Sequence, residues 1–126
     1  MLFRSRHRPV GLGSMGWHDM YYALDVVYDS EEATKLSNEV YEFISWHAIN
    51  QSTMLANERG KYSTFDGSLW SQDIFPVDSY ITLMKRRDAN FNKSRSNFEN
   101  MDWSIVRERV KEHGRSEEHT SELQSH

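Results

Sequence analysis

The chain has 126 residues, a formal charge of −4 at pH 7, 13% aromatic residues and no cysteine. These values indicate a single domain and show that the chain as a whole is not a disordered segment. The acidity argues against a nucleic-acid-binding protein, and the lack of cysteine excludes disulfides and thiol chemistry within this segment. Because no stretch approaches about 18 consecutive apolar residues and no secretory leader is visible, we expect a cytoplasmic protein without a membrane span.

The first part of the chain predicts a short strand followed by a short helix. Residues 8–13 read as an extended segment in which Pro9 fixes φ, and two glycines allow another backbone to approach closely. The apolar residues of 17–24 are spaced as on one face of a helix, which we expect to end near Asp25.

A helix of about 30 residues is predicted from Ser30 to Arg59. Asp29 with Glu32 three residues later forms a capping box, Ser30 is an alternative cap, and Gly60 supplies the stop. Apolar and small residues advance by three and four along one helical face, and these are Ala33, Leu36, Val40, Phe43, Ile44, His47, Ala48, Gln51, Met54 and Leu55.

The second half of the chain predicts a turn-rich segment, two helices and a loop. Residues 61–73 carry turn signals, and Pro76 marks the start of a helix. The polar residues of 88–100 read as a surface loop, and Asp102 caps a last helix that Gly114 stops. The fold class is therefore mainly α, with one short strand and about four helices.

These elements are not expected to close a core among themselves. A single strand leaves its N–H and C=O groups without partners, so we expect those partners to lie in sequence outside this chain. For the isolated chain we expect no cooperative melt and a strong tendency to aggregate, because its apolar faces lack neighbours.

Both ends of the chain resemble translated sequencing adapter. Residues 115–126 match, residue for residue, a one-frame translation of a widely used DNA-sequencing adapter, and residues 1–5 resemble its translated reverse complement. We therefore expect both ends to be foreign and the tail to be disordered. Residues 6–114 would be the genuine segment.

The run from Gly11 to Gly16 is a literal G-x-G-x-x-G, the phosphate-binding pattern of dinucleotide folds. That function requires an apolar strand before the run and a second strand after it. Residues 6–10 are mostly basic, and the long helix occupies the place of the second strand. A close-packing role for the glycines is the better reading, with a small nucleotide-binding module using Gly11–Gly16 as the alternative.

The other side chains that could act in catalysis or ligand binding fit structural roles better. Ser14 lacks the preceding glycine that a nucleophile elbow requires. His47 falls on the apolar stripe of the long helix, where a satisfied interior histidine is the expected role. Tyr21 and Tyr22 are expected to be one core ring and one surface ring. We thus predict no catalytic, cofactor-binding or metal site in this segment.

Several segments resemble the large subunit of ribonucleotide reductases. The match covers nearly all of residues 6–114 and favours the class I enzymes over the cobalamin-dependent class II. The segments are Arg6–Asp19 (like R-x-[IVL]-G-[ILV]-G-x-M-G), Val27–Ala33 (PYDSEEA), Met54–Tyr62 (LAEERGxY), Asp66–Trp70, Ile74–Asp78 (ILPxD) and Met101–Gly114 (LDWxxLRERIxxHG).

The resemblance implies a piece of a ten-stranded α/β barrel, with Gly11–Gly16 as barrel scaffold. It implies an oxidoreductase that removes the 2′-hydroxyl of ribonucleoside diphosphates for DNA synthesis by cysteine-based radical chemistry. The catalytic cysteines, the substrate-phosphate loop and the paired tyrosines of the radical route would lie outside this segment, so the fragment alone would be structural and inactive.

The resemblance also implies cofactors and partners for the parent enzyme. A metal-containing small subunit would supply the radical, and ATP and deoxynucleoside triphosphates would act as effectors. Thioredoxin or glutaredoxin would supply electrons. No nucleic acid or membrane partner is expected.

Overall fold

The computed structural model describes residues 6–88 and 100–121, the last four by their backbone alone. Four α-helices and two short strands are present in these ranges, so the prediction of a mainly helical chain with four helices is confirmed. In chain order the elements are β1 (Pro9–Leu12), α1 (Trp17–Ala23), α2 (Glu31–Arg59), a 3₁₀ helix (Trp70–Gln72), α3 (Pro76–Arg87), α4 (Trp103–His113) and β2 (Glu118–Ser121).

The ends of the long helix α2 follow from its capping residues. Ser30 is the N-cap, and its hydroxyl accepts a hydrogen bond from the amide of Ala33 at 3.1 Å. The alternative cap is therefore the correct one, and the capping box based on Asp29 is wrong. Gly60 ends the helix with φ at 81°, a conformation that favours glycine.

The buried face of α2 differs from the predicted apolar stripe. Of that stripe, only Ala33 is buried; Phe43, His47, Gln51 and Met54 are exposed, and the others are half-buried. The buried residues are instead mostly small or polar, namely Ala33, Glu42, Ile49, Ser52, Thr53 and Ala56. The apolar stripe identified a helix correctly, but the neighbours present in this chain pack against another side of it.

A small core lies between the carboxyl-terminal half of α2, the segment after it and α4. Phe75 is fully buried and is flanked by the rings of Trp70 and Trp103 at centroid distances of 5.1 and 6.2 Å. The buried cluster consists of Ile49, Tyr62, Phe65, Phe75, Val106 and Val110. A core does form, contrary to the prediction, although it involves only this part of the chain.

The caps of the last two helices agree with the predictions. Pro76 is the first residue of α3, and the carboxylate of Asp78 accepts from the amide of Phe75 at 2.8 Å. Asp102 caps α4 by accepting from the amide of Ser104 at 3.1 Å. Gly114 ends α4 with φ at 73°.

The described part of residues 6–114 contains one strand, as predicted, but the prediction that β1 has no partner within this chain is wrong. Strand β2 pairs with β1 in parallel, with Pro9 opposite Glu118 and Leu12 opposite Ser121. Backbone groups pair whatever side chains they carry, so even a polar segment can complete a ladder. Residues 118–121 thus occupy the place of the partner strand that the sequence places outside this chain.

Three predicted features lie wholly or partly outside the described residues: the ends at 1–5 and 122–126, and most of the loop at 88–100. In the part of the chain that is described, no helix combines the length and apolarity needed to cross a membrane.

Candidate functional site

The glycine-rich run forms the end of β1 and a loop that is tied to α2. Ser14 Oγ accepts a hydrogen bond from Trp17 Nε1 at 2.7 Å and lies 3.0 Å from the hydroxyl oxygen of Tyr41. The Trp17 ring stacks on the Tyr41 ring, with centroids 4.4 Å apart. These contacts hold Ser14 in a structural hydrogen-bonding role, so it is not placed as a nucleophile.

The surroundings of Gly11–Gly16 do not support a dinucleotide site. The helix after the loop has seven residues, and the long helix α2 follows it directly. The parallel partner of β1 comes from residues 118–121 at the other end of the chain. A dinucleotide fold instead requires a second strand soon after the first helix, and residues 24–88 contain none.

The remaining sequence candidates are separated in space. Tyr21 is buried, at 7% exposure, and Tyr22 is exposed, at 87%, which confirms one core and one surface ring. His47 is exposed beside the rings of Phe43 and Trp46. The prediction of an interior histidine is therefore wrong, because its side of α2 has no covering element in the described chain.

A buried carboxylate on α2 was not foreseen from the sequence. Glu42 is buried and accepts hydrogen bonds from Asn100 Nδ2 at 3.1 Å, the Met101 amide at 3.2 Å and Trp103 Nε1 at 3.0 Å. These donors fasten the start of α4 to the middle of α2. Nothing local distinguishes Glu42 from other helical glutamates, since its partners lie 58 to 61 residues away along the chain.

Arg107 joins α4 to the first turn of α3 and to Asp73, which precedes that helix. Its guanidinium contacts both carboxylate oxygens of Asp78 at 2.8 and 2.9 Å and the backbone oxygen of Asp73 at 2.9 Å. It also lies 4.5 Å from the ring centroid of Phe75. Burial disfavours its charge, but the two carboxylates outweigh that effect and raise the pKa of Arg107. Arg107 and its three partners pack together, which indicates that this cluster stabilises the fold.

Arg115 is the most unusual charged residue of the structure. It is fully buried with its guanidinium carbon 4.0 Å from the centroid of the Trp70 ring. Its Nε donates to Ser52 Oγ at 3.2 Å, but its two Nη atoms have no hydrogen-bond partner among the described residues. Burial lowers the pKa of Arg115 to about 10, although Glu117 and Tyr62 oppose this shift.

The described residues contain no group of three or more His, Asp or Glu side chains that could hold a metal ion. The clusters around Glu42, Arg107 and Arg115 each join separate elements of the chain. Their geometry suits the stabilisation of a fold.

The comparisons point consistently to one family. The family model "Ribonucleotide reductase, barrel domain" matches residues 3–123. The chain is 42% identical over 109 residues to the ribonucleoside-diphosphate reductase subunit alpha of Chlamydia trachomatis, and 35% identical over 111 residues to that of Helicobacter pylori. It is 32% identical over 109 residues to the large subunit of Arabidopsis thaliana.

These matches cover 86% of this chain but only 10% of the Chlamydia protein, 13% of the Helicobacter protein and 12% of the Arabidopsis protein. The chain thus spans about a tenth of the length of its relatives. Strand β1, helix α4 and the helix-end residues Ser30, Gly60, Asp102 and Gly114 fall in the segments whose resemblance to reductases is visible in the sequence. The chain belongs to the ribonucleotide reductase barrel-domain family.

Proposed function

We propose that this chain is a partial barrel domain from the large subunit of a class I ribonucleoside-diphosphate reductase. The observation that carries the proposal is the similarity to reductase alpha subunits at 32–42% identity over 86% of the chain. The parent enzyme would convert ribonucleoside diphosphates to deoxyribonucleotides by radical chemistry. This chain would contribute structure and no catalytic, cofactor-binding or metal-binding residue.

The absence of cysteine supports a division of labour between this segment and the rest of the parent. Reductase radical chemistry depends on a thiyl radical and a pair of reducing thiols, so those groups would come from other segments. The parent would receive its radical from a metal-containing small subunit and its electrons from thioredoxin or glutaredoxin. ATP and deoxynucleoside triphosphates would regulate it, and the enzyme would act in the cytoplasm.

The role of this segment would be to build part of the ten-stranded α/β barrel. The parallel arrangement of β1 and β2 suits a barrel wall, and α2 is long enough, at 29 residues, to cross the outside of a large domain. The hydrogen bonds of Glu42 and Arg107 would hold α2, α3 and α4 together behind that wall. Small displacements of such support are costly to an active site, because catalysis depends on geometry.

We also propose that residues 1–5 and 115–126 are adapter-derived and that 6–114 is the reductase segment. Residues 6–114 number 109, close to the 108–111 residues aligned with the relatives. The buried guanidinium of Arg115 beneath Trp70, without Nη partners, is what a foreign residue in an apolar position would look like. The match to the family model, by contrast, covers residues 3–123 and so extends beyond both of these boundaries.

The ordered backbone of residues 115–121 is compatible with this boundary. The amide of Tyr62 donates to the carbonyl of Arg115 at 3.0 Å, and the amide of Ser116 donates to the carbonyl of Ser52 at 3.2 Å. These bonds use main-chain atoms alone, so they would direct any sequence that follows Gly114 along the same path. A native strand would then occupy the place of β2.

A chimaeric enzyme tests the proposed function. Residues 6–114 would replace the aligned 109 residues of the Chlamydia trachomatis alpha subunit, and reduction of ribonucleoside diphosphates would be measured with its small subunit and thioredoxin. We expect reductase activity from the chimaera and none from the isolated chain. The same chimaera carrying Phe75→Ala serves as the control, because a damaged core should abolish activity. A folded chimaera that binds nucleotide but never reduces it would contradict the proposal.

A further inference from the structure

The turn-rich segment after α2 contains an aspartate followed directly by a glycine, Asp66 and Gly67. Neither residue belongs to a helix or a strand, and the side chain of Asp66 is 78% exposed. Gly67 adopts φ of 88°, and no atom lies within 4 Å of the place where a Cβ would stand. The peptide bond between the two residues is therefore open to solvent and free of steric protection by the described chain.

An exposed aspartate that precedes glycine can cyclise on its own main chain. The Gly67 nitrogen would form a bond to Cγ of the protonated Asp66 carboxyl group, and the displaced hydroxyl would leave with the amide proton as water. Glycine suits this attack because it has no Cβ to hinder it. Water then opens the cyclic imide at either carbonyl. Opening at the main-chain carbonyl leaves the chain running through Cγ, which is isoaspartate, and the reaction needs no oxidant or cofactor.

A small hydrogen-bond network opposes this attack. The Gly67 amide donates to Ser71 Oγ at 3.1 Å, and the Ser71 hydroxyl donates to the carbonyl of Ser68 at 2.7 Å. The amide must turn toward Cγ and give up its proton for the ring to close, so its bond to Ser71 has to break first. Lys61 Nζ also holds one carboxylate oxygen of Asp66, at 2.9 Å. Because Ser71 is itself exposed, water competes for the same bond, so the network slows the reaction without preventing it.

We propose that Asp66 isomerises spontaneously to isoaspartate in the folded chain, and that Ser71 sets the rate. The inference goes beyond the proposed function and does not depend on it. Isoaspartate inserts a methylene into the main chain and leaves a free carboxylate on a short branch. The change lies shortly before Trp70, whose ring packs against Phe75 in the core. Isomerisation should therefore loosen the packing of Trp70 as the protein ages, and the product is a substrate for carboxyl methyltransferases that recognise isoaspartate.

Incubation of the full chain at neutral pH, followed by digestion with trypsin, tests the proposal. One tryptic peptide, 62–85, contains three aspartates to compare, namely Asp66, Asp73 and Asp78. Fragmentation that distinguishes isoaspartate from aspartate, together with methylation by an isoaspartate methyltransferase, would measure each position. We expect isoaspartate to accumulate with time at Asp66 and not at the other two. Asp78 is the stricter internal control, because Arg107 holds its carboxylate.

Two serine variants separate control by Ser71 from a general loss of structure. Ser71→Ala should raise the rate at Asp66 about two- to tenfold, which corresponds to the loss of one hydrogen bond. Ser63→Ala, at another exposed serine of the same segment, is the matched control and should leave the rate unchanged. An equal rise at Asp78 in Ser71→Ala would attribute the change to unfolding and would refute the role of Ser71.

Two further results would contradict the proposal. Isoaspartate at Asp66 that stays no higher than at Asp73 and Asp78 would overturn it as a whole. An unchanged rate in Ser71→Ala would overturn the part assigned to Ser71. Neither result bears on the reductase assignment, because the measurement needs neither the chimaera nor a nucleotide.

Discussion

The two halves of this chain differ in how far their apolar side chains are buried. In the part after residue 48, Ile49, Phe75, Val106 and their neighbours share one buried cluster. In the part before it, Met15, Tyr22 and many other apolar side chains are exposed, and among the described residues 6–48 the only buried apolar ones are Tyr21 and Ala33. Both halves contain well-capped helices, so the difference lies in packing.

This difference indicates which interactions the chain can supply for itself. The second half has α4, the 3₁₀ helix and the segment at 61–75 folded against α2, and these cover one another. The first half has β1 and the short helix α1, of which Trp17 and Tyr21 contact one side of α2, and this leaves apolar surface of the kind that marks interfaces. We interpret that surface as the contact area with the missing parts of the parent subunit.

The largest expected effect comes from removing the centre of the core. Phe75→Ala should cost about 3–5 kcal/mol, because it deletes a fully buried ring and leaves a cavity. Hydrogen exchange of the α4 amides would measure the loss as reduced protection. Phe43→Ala, at an exposed phenylalanine on α2, is the control and should cost less than about 0.5 kcal/mol. Equal effects would mean that the two halves do not differ in packing.

Replacement of Arg115 should stabilise the chain. Arg115→Met removes a buried charge that lacks Nη partners and keeps an apolar side chain against Trp70, so we expect a gain of up to about 3 kcal/mol. Because the pKa of Arg115 falls to about 10 on folding, the cost of its burial is fully present below pH 10 and declines as the pH rises from there. The gain should therefore be constant around neutral pH.

Amide protection in α2 and α4 would record this gain, and Arg59→Met, at an exposed arginine, should produce almost none. A loss of protection in Arg115→Met would contradict the boundary at Gly114. It would mean that the guanidinium has a native role in the fold.

Loss of the Asp78 carboxylate should have a smaller effect. Asp78→Ala removes both the bond from the Phe75 amide and the paired contacts with Arg107, which should cost about 1–2 kcal/mol. Faster hydrogen exchange of the amides in the first turn of α3 would measure this loss of stability. Asp66→Ala breaks only a surface ion pair with Lys61 and should cost less, under about 1 kcal/mol.

The smallest effect on stability is expected in the first half of the chain. Tyr22→Ser with Val27→Ser should change stability by less than about 0.5 kcal/mol, since both side chains are largely exposed. The same double substitution should reduce aggregation, measured by light scattering. A marked loss of amide protection would show that this surface is already covered within the isolated chain.

Local patterns predicted the helices well. Ser30, Asp102, Gly60 and Gly114 act at the helix ends through hydrogen bonds and φ angles that depend on a few neighbouring residues. The family could also be identified from short segments such as Met54–Tyr62 and Met101–Gly114. The face of α2 that is buried, the environment of His47 and the role of Glu42 could not, because each depends on residues far away along the chain.

The sequence by itself determined where the helices start and stop, that no cysteine chemistry resides here, and which family the chain resembles. Only the tertiary structure decided which side of α2 is covered, that β1 has a parallel partner, and that Arg115 lies buried beneath Trp70. The reason is physical: capping and helical periodicity act within a few residues, whereas burial depends on which surfaces are available to cover a side chain.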